Sequence, residues 1–131
     1  RLVRELNLDY LLIDTHPGLS KETFLSMAIS NLSLLILRPD NQDFQGTAVT
    51  VNVAKQLRVR KMLLLLNKVL SRTNVESLKD QVEKIYGVPV AGAFPLSEDI
   101  AQLGSRGIFC LKFPQHPFSQ EVNRVARQIL S

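Results

Sequence analysis

Tryptophan is absent from the 131 residues, and cysteine occurs once, at Cys110. A single thiol excludes an internal disulfide framework and suits a reducing compartment, so a cytoplasmic location is expected. The two histidines, His16 and His116, lie far apart with no Cys or His at ligand spacing, which disfavours a structural zinc site. No apolar run approaches the ~18 residues of a membrane-spanning helix. The N-terminal stretch has no apolar core and no small-residue cleavage site, so it does not read as a signal peptide. There is no internal repeat and no low-complexity tract. What remains is one domain's worth of chain, or part of a larger domain, with 45% hydrophobic residues to build a core. A net charge of +4 permits a nucleotide, nucleic acid or membrane surface as partner and selects none of them. The chain opens without methionine on a charged amphipathic stretch, where Leu2, Val3 and Leu6 would share one helix face. That favours a fragment of something longer.

The most informative stretch is Tyr-Leu-Leu-Ile-Asp-Thr-His-Pro-Gly, residues 10–18. An unbroken apolar run such as Leu11–Ile13 reads as a strand buried on both faces, as in a parallel sheet covered by helices. Asp14 then stands at the strand's carboxyl end, the side on which open α/β sheets bind ligands. A carboxylate there can hold a metal ion or its bound water. Gly18 permits close backbone approach, and its N–H can donate to a phosphate oxygen. The plainer alternative is a helix-capping aspartate followed by an ordinary loop glycine.

Further along, Ser20 is placed to cap a helix whose apolar face would be Phe24, Leu25 and Ala28. Leu32–Leu37 predicts a second strand, ending in Arg38-Pro39-Asp40. Residues 41–46 read as polar loop and 47–57 as a helix burying Ala48, Val51, Ala54 and Leu57. Met62–Leu66 predicts a third strand ending at Asn67-Lys68. Thr73 to Glu76 has capping-box spacing. The helix it opens would bury Val75, Leu78, Val82 and Ile85 and close at Gly87. Pro89–Phe94 predicts a fourth strand, leading into Pro95 to Asp99, with Ser97 capping a short helix that stops near Gly104. Residues 108–113 read as extended and apolar. A last helix, 118–130, carries a stripe of Val122, Val125, Ala126, Ile129 and Leu130. Apolar strands alternating with helices indicate a doubly wound, mostly parallel α/β sheet, with the unusual residues gathered at the strand ends.

Three of those strand ends carry a further likeness. Asp-Thr-His-Pro-Gly (14–18), Asn-Lys-Val (67–69) and Phe-Pro-Leu-Ser-Glu-Asp (94–99), followed by Ala-Gln-Leu-Gly-Ser-Arg-Gly (101–107), stand in family order. Together they make the chain resemble the C-terminal half of the MinD/ParA family of deviant Walker P-loop ATPases, over nearly its whole length. The resemblance implies that residues 1–131 are the C-terminal portion of one such ATPase domain. It implies ATP and Mg²⁺ as cofactors, Asp14 as the switch II aspartate holding the metal through water, and Gly18 as the switch glycine near the γ-phosphate. Asn67, with Lys68 beside it, would read the adenine edge, because an amide offers donor and acceptor side by side. Pro95, Leu96 and Ser97 would form the loop packed on the adenine. A homodimer, an activating partner protein, and a peripheral membrane or non-specific DNA contact complete the implied partners.

The family's phosphate-binding loop, a Gly-rich turn with two lysines, has no match here; Gly46-Thr47 lacks both the lysine and the preceding glycines. Phosphates need that cradle of N–H groups and a lysine, so this chain alone is expected to be inactive. The family's strand leading to that loop runs between the strands matching Leu11–Asp14 and Leu32–Leu37. Without it, those two would flank an empty lane, or close it by direct pairing or with a second copy.

Other features admit two readings each. His16 is a loop histidine or a group near the γ-phosphate. Lys55, Arg58, Arg60 and Lys61 are a solvated helix end, where cations are favoured, or a phosphate-contacting patch. The last helix packs on the sheet or lies on a membrane. Ser20 and Ser97 have no neighbouring base in sequence and read as caps. The function classes left open are an ATP-driven dimerising switch that positions cellular cargo, and a non-catalytic α/β binding domain that keeps the fold without turnover.

Overall fold

A computed structural model of the protein describes residues 2–130, the side chain of Leu2 excepted. The fold is built outward from β2 (Met62–Val69), whose Leu63, Leu64, Leu65 and Leu66 are all buried. Successive side chains of a strand point to opposite faces, and the leucines divide accordingly. Leu64 and Leu66 join a cluster with Leu37, Val51, Val82 and Tyr86. Leu63 and Leu65 join one with Ala91, Phe94 and Val125. β1 (Ser33–Leu37) and β3 (Val90–Pro95) pair with β2 on either side, both parallel, in the order β1-β2-β3. Helices α3 (Asn41–Gln56) and α4 (Val75–Tyr86) supply Val51, Val82 and Tyr86 to one face. Helix α7 (Pro117–Leu130) supplies Val125 to the other. The sheet is thus parallel and covered by helices on both faces, as the alternation of strands and helices predicts. α7 packs on it through Val122, Val125 and Ile129, whereas Leu130, the last residue of the expected stripe, is 54% exposed.

Several boundaries move, each for a local reason. α3 starts at Asn41 rather than Thr47, because the Asp40 carboxylate accepts the Asp43 N–H at 2.9 Å and caps the helix there, leaving Gly46 inside it. Asn67 and Lys68 lie within β2, which runs on until Val69 pairs with Pro95. Asn74, not Thr73, caps α4, and Tyr86 takes the inward place expected of Ile85, which is 65% exposed. The Tyr86 hydroxyl donates to the Phe44 carbonyl at 2.8 Å, which anchors it there. Gly87 ends α4 in the left-handed conformation at φ +63°. Ser97 stands at the N-cap of α5 (Glu98–Leu103), but its side chain makes no capping hydrogen bond. In α2 (Lys21–Ile29), capped by Ser20, the buried residues are Thr23 and Met27 rather than the expected Phe24, Leu25 and Ala28.

One expected strand and one segment expected to be extended do not form. Residues 108–113 make a one-turn helix, α6 (Phe109–Lys112). The outer edge of β3 cannot receive them, because α7 already occupies it. The Ala93 N–H donates to Glu121 at 2.9 Å, and Arg124 donates to the Ala91 carbonyl at 2.6 Å. Leu11–Ile13 likewise belongs to no sheet; residues 10–16 have no regular structure. Leu12 is 92% exposed. A strand exists only by pairing, and no described residue pairs with this segment. At the amino end, α1 (Leu2–Glu5) is a single turn; Val3 and Leu6 are exposed, and the third member of the expected apolar face, the Leu2 side chain, is outside the described residues.

Candidate functional site

Parallel strands bring their carboxyl ends to one edge of a sheet, and the first candidate group lies alongside β1. The segment 11–18 and β1 face each other across a groove of about 600 Å³, closed from below by Met27 of α2 and Thr47 and Thr50 of α3. Apolar side chains line its length on both banks: Leu11 and Ile13 on one, Leu34 and Ile36 on the other. Asp14, Thr15, His16, Pro17 and Gly18 line it too. The structure therefore keeps the lane between the two segments open, with no direct pairing across it among the described residues.

Asp14 is exposed and accepts no hydrogen bond from a described residue, so its carboxylate is free to meet a ligand. Gly18 adopts φ +92°, a conformation costly for any residue with a Cβ. Its carbonyl accepts the Thr23 hydroxyl at 3.2 Å, which ties the turn to the first turn of α2. The Ser20 side chain, at 3.2 Å from Thr23 N, fixes the same turn from the other side. The loop that carries Asp14 is thus unsupported by a sheet but anchored at its end.

The second candidate group forms separately, at the ends of β2 and β3. The Leu96 N–H donates to the Val69 carbonyl at 2.9 Å, which draws Asn67-Lys68-Val69 and Pro95-Leu96-Ser97 together. Asn67 turns its carbonyl oxygen onto the Lys68 N–H at 2.9 Å, leaving its NH₂ without a partner among the described residues. Lys68 has φ +55°, which an L-residue adopts at a cost of about 1–2 kcal/mol. Such strain gathers at functional sites. Sequence reasoning missed it, since nothing in Asn-Lys-Val signals a left-handed lysine. None of these residues lines the groove at β1, so the two groups share one edge of the sheet and not one cavity.

Between them, at the end of β1, lies a charge network. Arg38 grips Asp43 through Nε at 3.1 Å and a terminal nitrogen at 3.2 Å, and its backbone N–H donates to the same carboxylate at 2.8 Å. The guanidinium's hydrogen bonds hold the Asp43 carboxyl below the usual carboxylate range. Arg38 and Asp43 are thereby committed to each other rather than to a ligand.

Among the described residues no cluster of three or more His, Cys, Asp or Glu could hold a metal by itself. Mg²⁺ is commonly bound by one or two carboxylates, retained waters and substrate phosphates, so a lone Asp14 acting through water fits that requirement in part. No described helix is long and apolar enough to cross a membrane.

No protein-family model matches the chain. Solved structures do match it in fold. They include the MinD cell division protein of Aquifex aeolicus, 17% identical, with a TM-score of 0.81 over 98% of this chain and 57% of that one. A MinC:MinD cell division protein complex from the same organism matches at 16% identity and a TM-score of 0.85, over 98% of this chain and 55% of that one. A ParA family ATPase of Chlorobium tepidum matches at 16% identity and a TM-score of 0.67, over 86% of this chain and 46% of that one. In sequence, the ATP-dependent dethiobiotin synthetase of Bacillus licheniformis is 30% identical over 86 residues, covering 62% of this chain and 37% of that protein. The chain thus has the fold of the MinD and ParA proteins and spans about half the length of those solved structures.

Proposed function

We propose that this chain is the C-terminal portion of a single MinD/ParA-like ATPase domain, part of an ATP-dependent dimerising switch of the cell-division or partitioning type. The observation that carries the reading is the open lane beside β1. Both of its banks are apolar, no described residue pairs across it, and the chain spans about half the length of the solved structures that share its fold. The strand that leads into a phosphate-binding loop would lie in that lane. Its carboxyl end would then emerge beside Asp14 and Gly18.

In this reading Asp14 holds the water shell of Mg²⁺, which when bound neutralises charge on the nucleotide phosphates. The Gly18 N–H donates to the γ-phosphate, and the anchored turn at Ser20–Thr23 sets its direction. The free NH₂ of Asn67 meets the adenine edge, while Lys68 and Pro95–Ser97 frame the base. Dimerisation and binding of a partner protein are part of the same proposal; a solved relative in complex with MinC supports them.

A carboxylate acting through a metal's water serves the transition state more than the ground state. Asp14→Ala in the intact protein should lower kcat by at least ~10²-fold, the scale of one lost electrostatic contributor, with a smaller effect on ATP affinity. Unchanged turnover would remove Asp14 from the site.

A further inference from the structure

Away from the sheet edge, α5, α6 and the loop before α7 enclose a second hollow of about 340 Å³. Leu103, Phe109 and Phe113 form its apolar walls, and Asp99, Arg106 and His116 stand at its rim. The aromatic walls are held in place. The Phe109 ring is buried and meets His116 edge-on at 5.0 Å and Phe113 at 5.0 Å. His116 is fixed from both sides: its Nδ1 accepts the Phe118 N–H at 3.1 Å, and its Nε2 lies 3.4 Å from Asp99. Arg106 is fixed as well, donating to the Gln102 and Leu103 carbonyls that end α5.

The apolar surface continues outside the hollow. Ile108 is 66%, Leu111 76% and Phe113 48% exposed, all on or beside the one-turn helix α6. No core position explains them. Two cations, Arg106 and Lys112, adjoin this surface, and Asp99 faces His116.

We propose that this hollow and the α6 surface receive a peptide segment of a partner protein, one aromatic or leucine side chain seated in the hollow against Leu103, Phe109 and Phe113 and acidic residues beside it meeting Arg106 and Lys112. The volume lies at the low end for ligand pockets and suits one or two side chains rather than a cofactor. A prearranged wall lowers the ordering cost of seating that side chain. The concave shape favours a peptide over a lipid surface, which would need apolar side chains projecting from a convex face. The proposal does not depend on nucleotide binding.

A phage-displayed library of short random peptides, selected on the intact protein, tests it. Enrichment of peptides with one aromatic or leucine among acidic residues is expected. Leu111→Asp and Phe113→Ala should each weaken those peptides by at least ~10-fold, as loss of an interface anchor does. Leu111 is 76% exposed, so Leu111→Asp should leave the thermal melt in place, whereas Phe113→Ala also removes a ring packed on Phe109 and should lower it slightly. Amide shifts on peptide addition should centre on Leu103, Phe109 and Phe113. No enrichment, or peptides that bind both variants unchanged, would overturn the proposal. So would two other sensitivities to Leu111→Asp: sedimentation with phosphatidylglycerol vesicles but not phosphatidylcholine alone, which assigns the surface to a membrane, or self-association, which assigns it to a second copy.

Discussion

Along β3, side chains of α7 take up the outer backbone groups: Glu121 accepts from Ala93, and Arg124 donates to Ala91 while pairing with Glu121 at 2.7 Å. α7 can come this close because residue 92 is glycine; a Cβ there would stand 2.5 Å from Val125 Cγ2 and 3.0 Å from Glu121 Oε1. Along β1, at the opposite end of the sheet, nothing comparable occurs among the described residues. Leu34 and Ile36 stand exposed, and across the groove lies an unpaired apolar segment. Proteins that end a sheet at an edge blunt it with charge, a bulge or a covering element. β3 is blunted in this way and β1 is not. The first edge is covered, and the second is left open among the described residues.

The largest expected effect tests the open edge. The chain on its own should self-associate in a concentration-dependent manner by analytical ultracentrifugation, since an unblunted apolar edge invites pairing. Leu12→Lys with Ile36→Lys should raise the dissociation constant by at least ~100-fold, about 1.4 kcal/mol per introduced charge. A chain that stays monomeric at every concentration with a cooperative melt would break the comparison. The closed edge should cost less to disturb. Glu121→Ala leaves the Ala93 N–H and Arg124 without their carboxylate and should destabilise by about 1–3 kcal/mol in urea titrations. Acid should act in the same direction. The Arg124 hydrogen bonds, aided by the Ala93 N–H against the opposing effect of burial, hold the Glu121 carboxyl below its ordinary range. The folded state therefore binds that proton less tightly than the unfolded one. The stabilisation is present above the unfolded glutamate value of about 4.3 and is lost as pH falls through the lower folded value. The Glu121→Ala protein should lack this part of the acid transition.

Two smaller effects concern the ends of β2 and β3. Asn67→Ala in the intact protein should weaken ATP by about 1–3 kcal/mol in calorimetric titration, the range for a bidentate base contact. Equal affinities would remove Asn67 from the site. Lys68→Gly should stabilise by at most about 1 kcal/mol, because glycine tolerates φ +55° without the steric penalty while adding freedom to the unfolded chain. A loss of stability would show that the lysine side chain contributes more than its backbone strain removes.

Much of this was legible from local pattern, and the exceptions share a cause. The Met62–Leu66 run predicts a doubly buried strand, and it is one. Ser20 and Gly87 act as the helix signals they resemble. Asp40 was readable too, three residues before the Asp43 N–H it accepts, but Gly46 obscured the helix that follows. By contrast, Leu11–Ile13 and Ile108–Phe113 look as strand-like as Leu34–Leu37, and only the last finds a neighbour. Short apolar runs do not reveal their pairing.

By its order of apolar runs, caps and turn residues, the sequence alone determined a parallel α/β sheet with helices on both faces and placed Asp14, Asn67 and Pro95–Ser97 at the carboxyl ends of its apolar runs. Tertiary structure alone decided which runs became strands, because a strand's hydrogen bonds come from distant residues. It closed β3 by bringing Glu121 and Arg124 to Gly92 and its neighbours, about thirty positions earlier in the chain. It also left the lane beside β1 open and assembled the hollow at Phe109, since cavities are defined by packing between elements and no local pattern encodes them.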